Sequence, residues 1–125
     1  MDIIESAKTG NVDKIKEAVK SGVSINTRDR DNITPIVWAA YHNHLNAVKY
    51  CISAKADLNA VGKDGITALM RAVENKNVEM IKALISARAD VNEVDNYKCT
   101  ALTRAVKEIK DNQIIELLKK AGAKQ

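Results

Sequence analysis

At 125 residues, 46% hydrophobic and 29% charged, the chain has the bulk of one compact unit with a continuous but slender core, and a second domain is not expected. Phe is absent and aromatics make up 3%, so the core must be built from Ala, Val, Ile and Leu. No apolar run approaches the ~18 residues of a membrane span, and no basic start leads into an apolar leader. The net charge of +4 sits at the carboxyl end, where residues 98–125 carry 7 basic and 3 acidic side chains while residues 1–97 balance at 13 each. That excess is thinner than the Lys/Arg stripe of a nucleic-acid binder, and it suits an acidic protein partner at least as well.

Taken in chain order, the first segment already sets the period. Ala7, Val12, Ile15, Ala18, Val19, Gly22 and Asn26 each lie 33 residues before Ala40, Leu45, Val48, Cys51, Ile52, Lys55 and Asn59. The next unit opens on Thr34-Pro35-Ile36, with Pro35 suited to a first helical position. Its apolar stripe runs through Ile36, Ala39 and Ala40, then through Leu45, Val48, Cys51 and Ile52. The third opens on Thr67-Ala68-Leu69. Thr67 is placed to cap a helix carrying Leu69, Ala72 and Val73, and a second helix follows from Val78 with Ile81, Leu84 and Ile85 on one face. The fourth opens on Thr100-Ala101-Leu102 and carries Ala105 and Val106, then Ile115, Leu117 and Leu118. It is one residue longer than the third, and the extra residue is expected in a turn at residues 107–113.

Each unit therefore predicts a helix, a tight turn, a longer helix and an extended link ending in Asn26, Asn59 or Asn92. A self-similar unit this short cannot bury its own apolar face and has to stack on its neighbours. The expectation is an all-α solenoid of four helix pairs in a single domain, 1–125, with approximate repeats 1–30, 31–63, 64–96 and 97–125. Lys14 and Glu17 stand where later units have Ala47 and Tyr50, then Met80 and Ala83, and Lys119 follows Val19, Ile52 and Ile85 on the opposing side. That polarity predicts that the first and last units cap the stack and that the chain is complete.

The run Asp64 to Asn75, followed by Val78, Ile81, Leu84, Ile85 and Ala89-Asp90-Val91-Asn92, resembles the ankyrin repeat, and the resemblance covers nearly the whole chain. It implies short β-hairpin loops between helix pairs. Val37, Met70 and Thr103 occupy the place where that family usually has His. Lys55 and Arg88 replace its helix-ending Gly, and Asn43 and Lys76 its turn Gly. A side chain held in left-handed backbone costs about 1 kcal/mol, so the middle units are expected to be marginal.

The resemblance also implies protein binding through the hairpin tips and the exposed side of the first helices. Carried onto this sequence, the loop positions are Arg28, Arg30, Asp31 and Ile33; Val61, Lys63, Asp64 and Ile66; and Val94, Asn96, Tyr97 and Cys99. The helix positions are Tyr41 and His42, Glu74 and Asn75, and Lys107 and Glu108. Trp38, Arg71 and Arg104 are equivalent residues of successive first helices, and Trp, Tyr and Arg are the side chains that most often dominate interfaces. Two stacked guanidinium groups repel unless a carboxylate answers them; Arg71 could instead lie over the Trp38 ring. The alternatives are structural: Trp38 filling a hole beside alanines, Tyr97 packing over the next loop, and Arg28-Asp29-Arg30-Asp31 forming a solvated turn.

His42 and His44 stand two apart, a spacing that points their rings away from each other, and no Cys completes a metal set. No nucleophile–base pairing or phosphate-binding loop is present. Cys51, at the place of Leu84, reads as core filler. The expectation is a cytoplasmic, monomeric, non-catalytic adaptor or inhibitor without cofactor or metal, binding another protein with an acidic surface. Electrostatic nucleic-acid binding and structural self-association are the competing readings.

Overall fold

In a computed structural model, residues 2–124 of the chain are described, and they form four helix pairs in a row. The helices are α1 (Ile3–Thr9), α2 (Val12–Lys20), α3 (Pro35–Tyr41), α4 (Leu45–Ser53), α5 (Ala68–Glu74), α6 (Val78–Ser86), α7 (Ala101–Arg104) and α8 (Asn112–Lys120). The odd-numbered helices form an inner layer, α1 on α3, α3 on α5 and α5 on α7; behind them α2 packs on α4 and α4 on α6. Helices of seven to nine residues are too short to persist alone, so the stacking holds them. Their ends are well satisfied. Asp2, Asn11, Thr67, Asn77, Thr100 and Asp111 accept backbone N–H groups at the starts of their helices, whereas the buried Thr34 hydroxyl has no partner among the described residues.

Small residues set the layer spacing. Ala39, Ala40, Ala72 and Ala105 are fully buried where the inner helices meet, with Ile36, Leu69 and Leu102 beneath them. The outer row contributes Val48 and Cys51, then Ile81 and Leu84, then Ile114 and Leu118, each side chain stabilising the stack by about 1.5–3 kcal/mol for its size. Burial pushes the Cys51 thiol up to about 12, so it behaves as an apolar filler. In α8 the stripe differs from the expected one. Ile114 and Leu118, four residues apart, face inward, while Ile115 and Leu117 flank them and are only half-buried.

The links between pairs are turns where hairpin strands were expected. Each is closed across its base by a backbone bond, Asp29 N–H to Ile33 O (3.1 Å), Gly62 N–H to Ile66 O (2.9 Å) and Asp95 N–H to Cys99 O (2.9 Å), with a shorter-range bond inside it, Asn32 N–H to Asp29 O, Gly65 N–H to Gly62 O and Lys98 N–H to Asp95 O. Among the described residues the pairing goes no further than an isolated antiparallel bridge, Val61 to Thr67. A ladder of asparagines ties successive links together: Asn26 Oδ1 accepts from Asp57 N (2.9 Å), Asn59 Oδ1 from Asp90 N (2.8 Å) and Asn92 Oδ1 from Lys124 N (2.8 Å). This inter-repeat bond is the physical reason for an Asn at the end of each of the first three units.

The left-handed positions persist without glycine. Lys55 and Arg88 end their helices at φ 67° and 70°, where Gly22 and Gly122 stand at 104° and 95°, and Asn43 and Lys76 turn at 63° and 53°. The extra residue of the last unit falls at the start of the predicted stretch, 107–113, where the end of the inner helix opens to take it. Residues Ala105–Ile109 open into a π-helical turn, and the left-handed position moves to Lys110, whose N–H reaches Ala105 O at 2.6 Å.

Candidate protein-binding groove

Inner helices α3, α5 and α7 and the hairpin turns before them bound a cleft of about 970 Å³. Its lining joins Ile33, Val37, Trp38 and Tyr41 to Lys63, Ile66, Arg71, Tyr97 and Arg104, so residues one period apart do share a wall. Tyr41 is 49% exposed and Tyr97 64%, with Val61 and Val94 open on the loops. Ile33 and Ile66, expected as loop contacts, are buried instead. Their side chains fold under the turns and make the floor of the cleft.

The Trp38–Arg71–Arg104 stripe is held by carboxylates. Trp38 Nε1 donates to Asp29 Oδ2 at 2.8 Å, and Arg104 Nη2 donates to Asp95 Oδ2, nine residues upstream in each case. The other oxygen of each aspartate organises its turn, Asp29 Oδ1 accepting from Asp31 and Ile33 N–H and Asp95 Oδ1 from Tyr97 and Cys99 N–H. Burial opposes ionisation of Asp29, but the Ile33 amide, Trp38 indole and Asp31 amide outweigh it and hold its carboxyl below the ordinary value. At Asp95 burial likewise loses to the Cys99 amide, Arg104 and the Tyr97 amide, and the carboxyl is again held low. The Arg28–Asp31 run is therefore no solvated turn at its second residue; Arg28, Arg30 and Asp31 are exposed, and Asp29 is tied in.

Glu74 answers the guanidinium pair. Its Oε2 lies 3.1 Å from Arg71 Nη1 and its Oε1 2.7 Å from Arg104 Nη1, one carboxylate shared by two repeats. Arg104 consequently sinks to 9% exposure, which corrects the expectation that it faces a ligand, and its Nε is left without a partner among the described residues. Arg71 does not reach Trp38. Its guanidinium lies over the Tyr41 ring at 4.7 Å, and the cation over Trp38 is Lys8 Nζ at 4.4 Å, from α1.

The remaining candidates divide between wall and structure. His42 is exposed and stacks on Trp38 (5.9 Å, 15°), with Tyr41 edge-on at 4.9 Å. The His42 and His44 rings lie 6.2 Å apart, closer than their spacing suggested, and His44 Nε2 is 2.9 Å from Lys8 O, bracing the first pair against the second. Asn75 donates from Nδ2 to Ala40 O (3.2 Å) and so ties two repeats together. Tyr97 hydroxyl donates to Asp64 Oδ2 (3.1 Å) and Asn96 N–H to Asp64 O (2.8 Å), linking the tips of two turns. Lys63, Lys107 and Glu108 are exposed. The sequence does not mark Asp95 or Lys8 and offers Asp29 only as part of a solvated turn, although the nine-residue interval from Asp29 to Trp38 and from Asp95 to Arg104 is visible once the units are superposed.

A family model for ankyrin repeats, three copies long, matches residues 3–95 and 54–125. The acyl-CoA-binding domain-containing protein 4 of Oryza sativa subsp. japonica is 42% identical over 45 residues, which is 36% of this chain and 13% of that protein. No helix among the described residues is long and apolar enough to cross a membrane. With the period, the Thr-led inner helices, the asparagine ladder and a model match spanning nearly every residue in agreement, the chain belongs to the ankyrin-repeat family.

Proposed function

We propose that the chain is a non-catalytic binding module, an adaptor or inhibitor, that grips a partner protein in the cleft along α3, α5 and α7. Ankyrin repeats generally mediate protein–protein interaction, and one observation carries the reading to this face. Among the described residues, of the five large apolar side chains most exposed to solvent, Tyr41, Val61, Val94 and Tyr97 sit on these turns and inner helices. Aromatics on short stacked helices present area with little entropy to lose, which favours affinity through rigidity. The charges nearby are largely answered within the chain by Glu74 and Asp95, so a diffuse electrostatic grip on nucleic acid has little support here.

The test is capture of partners by the full chain, wild type against Tyr41→Ala/Tyr97→Ala, with Lys49→Ala/Lys82→Ala on the outer helices as control. The aromatic pair is expected to lose about tenfold or more in affinity while the control stays level. Capture that survives the aromatic substitutions and fails in the outer-helix control would move the interface to the other face.

A further inference from the structure

In two of three successive repeats, the side chain of the fourth residue of the inner helix is answered by an aspartate nine residues upstream. Asp29 serves Trp38 and Asp95 serves Arg104. In the middle repeat the corresponding residue is Gly62, which has no carboxylate to offer Arg71. The turn has adapted to the loss. Without an aspartate oxygen to gather its amides, it tightens into a 3₁₀ turn, Lys63–Gly65, with Asp64 in left-handed backbone at φ 64°. A Cβ on Gly62 would stand 2.8 Å from Val37 Cγ1, so the backbone has moved into the space that a side chain would need.

Arg71 is thus fixed yet under-used. The Tyr41 ring covers one face of its guanidinium, and Nη1 is bound to Glu74, whose other oxygen is already committed to Arg104. Among the described residues no other acceptor meets the Arg71 side chain, and it borders the cleft beside Gly62, Val37 and Ile66. A guanidinium fork held in place with open N–H groups matches a carboxylate better than any other common side-chain group.

We propose that Arg71 is a carboxylate receptor. An acidic side chain of the bound partner takes the role that Asp29 and Asp95 play within their own repeats, while an adjacent apolar residue of the same extended segment rests on the Ile33–Val37–Ile66 floor. The inference rests on the cleft being the binding surface, and it narrows the partner to an extended peptide bearing Asp or Glu next to an apolar residue. Local charge selects that occupant, because Arg71 and Arg104 share one glutamate while Arg104 alone has a second carboxylate; Asp31, Asp64 and Glu108 also border the cleft and confine an acidic side chain to the Arg71 position.

The experiment selects peptides from a random linear library displayed on phage against the full chain, then measures the consensus peptide by fluorescence anisotropy. The expected consensus has one invariant acidic position beside an apolar one. Arg71→Gln should weaken it about tenfold or more, Arg71→Lys by less, and amidation of the peptide's acidic residue should add little once Arg71→Gln is present. Gly62→Asp combined with Val37→Ala restores an internal carboxylate with room for it, and should lower affinity for the acidic peptide below that of Val37→Ala alone while circular dichroism shows the fold retained. Peptides that Tyr97→Ala weakens but that carry no acidic position, or whose acidic residue is indifferent to Arg71→Gln, overturn the receptor and leave the cleft standing as the binding surface. Selected peptides that ignore both Tyr97→Ala and Arg71→Gln overturn both.

Discussion

Lys55 and Arg88 occupy backbone at φ 67° and 70°, a region in which a Cβ crowds the neighbouring carbonyl oxygen. Gly22 and Gly122 do the same task in the outer repeats without that crowding. Neither lysine nor arginine is compensated by a hydrogen bond or ion pair of its side chain among the described residues, so the strain is not offset locally. Lys55→Gly and Arg88→Gly should each raise stability by about 1 kcal/mol, and together by nearly twice that, since they lie a full repeat apart. Urea unfolding monitored by circular dichroism reads this directly. A lower midpoint for either variant would show that the side chains contribute more than the backbone loses. The same reasoning sets Asn43 apart from Lys76, because asparagine tolerates left-handed backbone and Asn43 Oδ1 also accepts from Asn77 Nδ2 at 2.8 Å.

At the scale of the element, the fourth repeat shows how an insertion enters a helix. Residues 105–111 read Ala-Val-Lys-Glu-Ile-Lys-Asp where residues 72–77 read Ala-Val-Glu-Asn-Lys-Asn, and removing Lys107 brings glutamate onto glutamate and lysine onto left-handed lysine. The insertion is therefore Lys107, and the π turn at Ala105–Ile109 is the backbone's means of carrying it. Lys107 is exposed, while Ala105 before it is fully buried against the neighbouring repeat. Deleting Lys107 should keep the fold and leave thermal stability level or higher, whereas deleting Ala72 from the middle of α5 should unfold the chain. Circular dichroism melts separate the two, and a Lys107 deletion that melts as early as the Ala72 deletion would place the insertion elsewhere. The element pattern was otherwise legible in the sequence, because Thr67, Leu69, Ala72 and Val73 encode a cap and one helical face within a few residues. The hairpins were less legible; their loop residues fix a turn and say little about how far strand pairing extends beyond it.

Across the whole molecule, the sequence reveals which residues share a wall, since the period alone brings Trp38, Arg71 and Arg104 into line. It hides what those side chains touch. Asp29 reads as part of a solvated turn until the stack ties it to Trp38, nothing in the sequence marks the tie of Asp95 to Arg104, and Lys8 reaches Trp38 only through the packing of α1 on α3. These two carboxylates, Asp95 buried and Asp29 half-buried, set the response of the stack to acid. Because Asp29 and Asp95 have folded-state values held below 3.8, their contribution is complete above that pH and is lost as pH falls through the lower folded value. Glu93 works the other way. Burial first, then the nearby Asp90 and Asp57, raise its carboxyl above 4.5, so its charge costs stability near neutrality and that cost is relieved as pH falls toward 4.5. Stability measured by urea unfolding from about pH 3 to about pH 7 should therefore rise on acidification toward 4.5 and then fall below 3.8. Glu93→Gln should remove the rise and leave the drop. Asp29→Asn/Asp95→Asn should lower stability at neutral pH, because Arg104 is left half-answered in a buried position, and should flatten the acid limb. An acid limb of unchanged steepness in that double variant would assign the sensitivity to carboxylates outside the two turns.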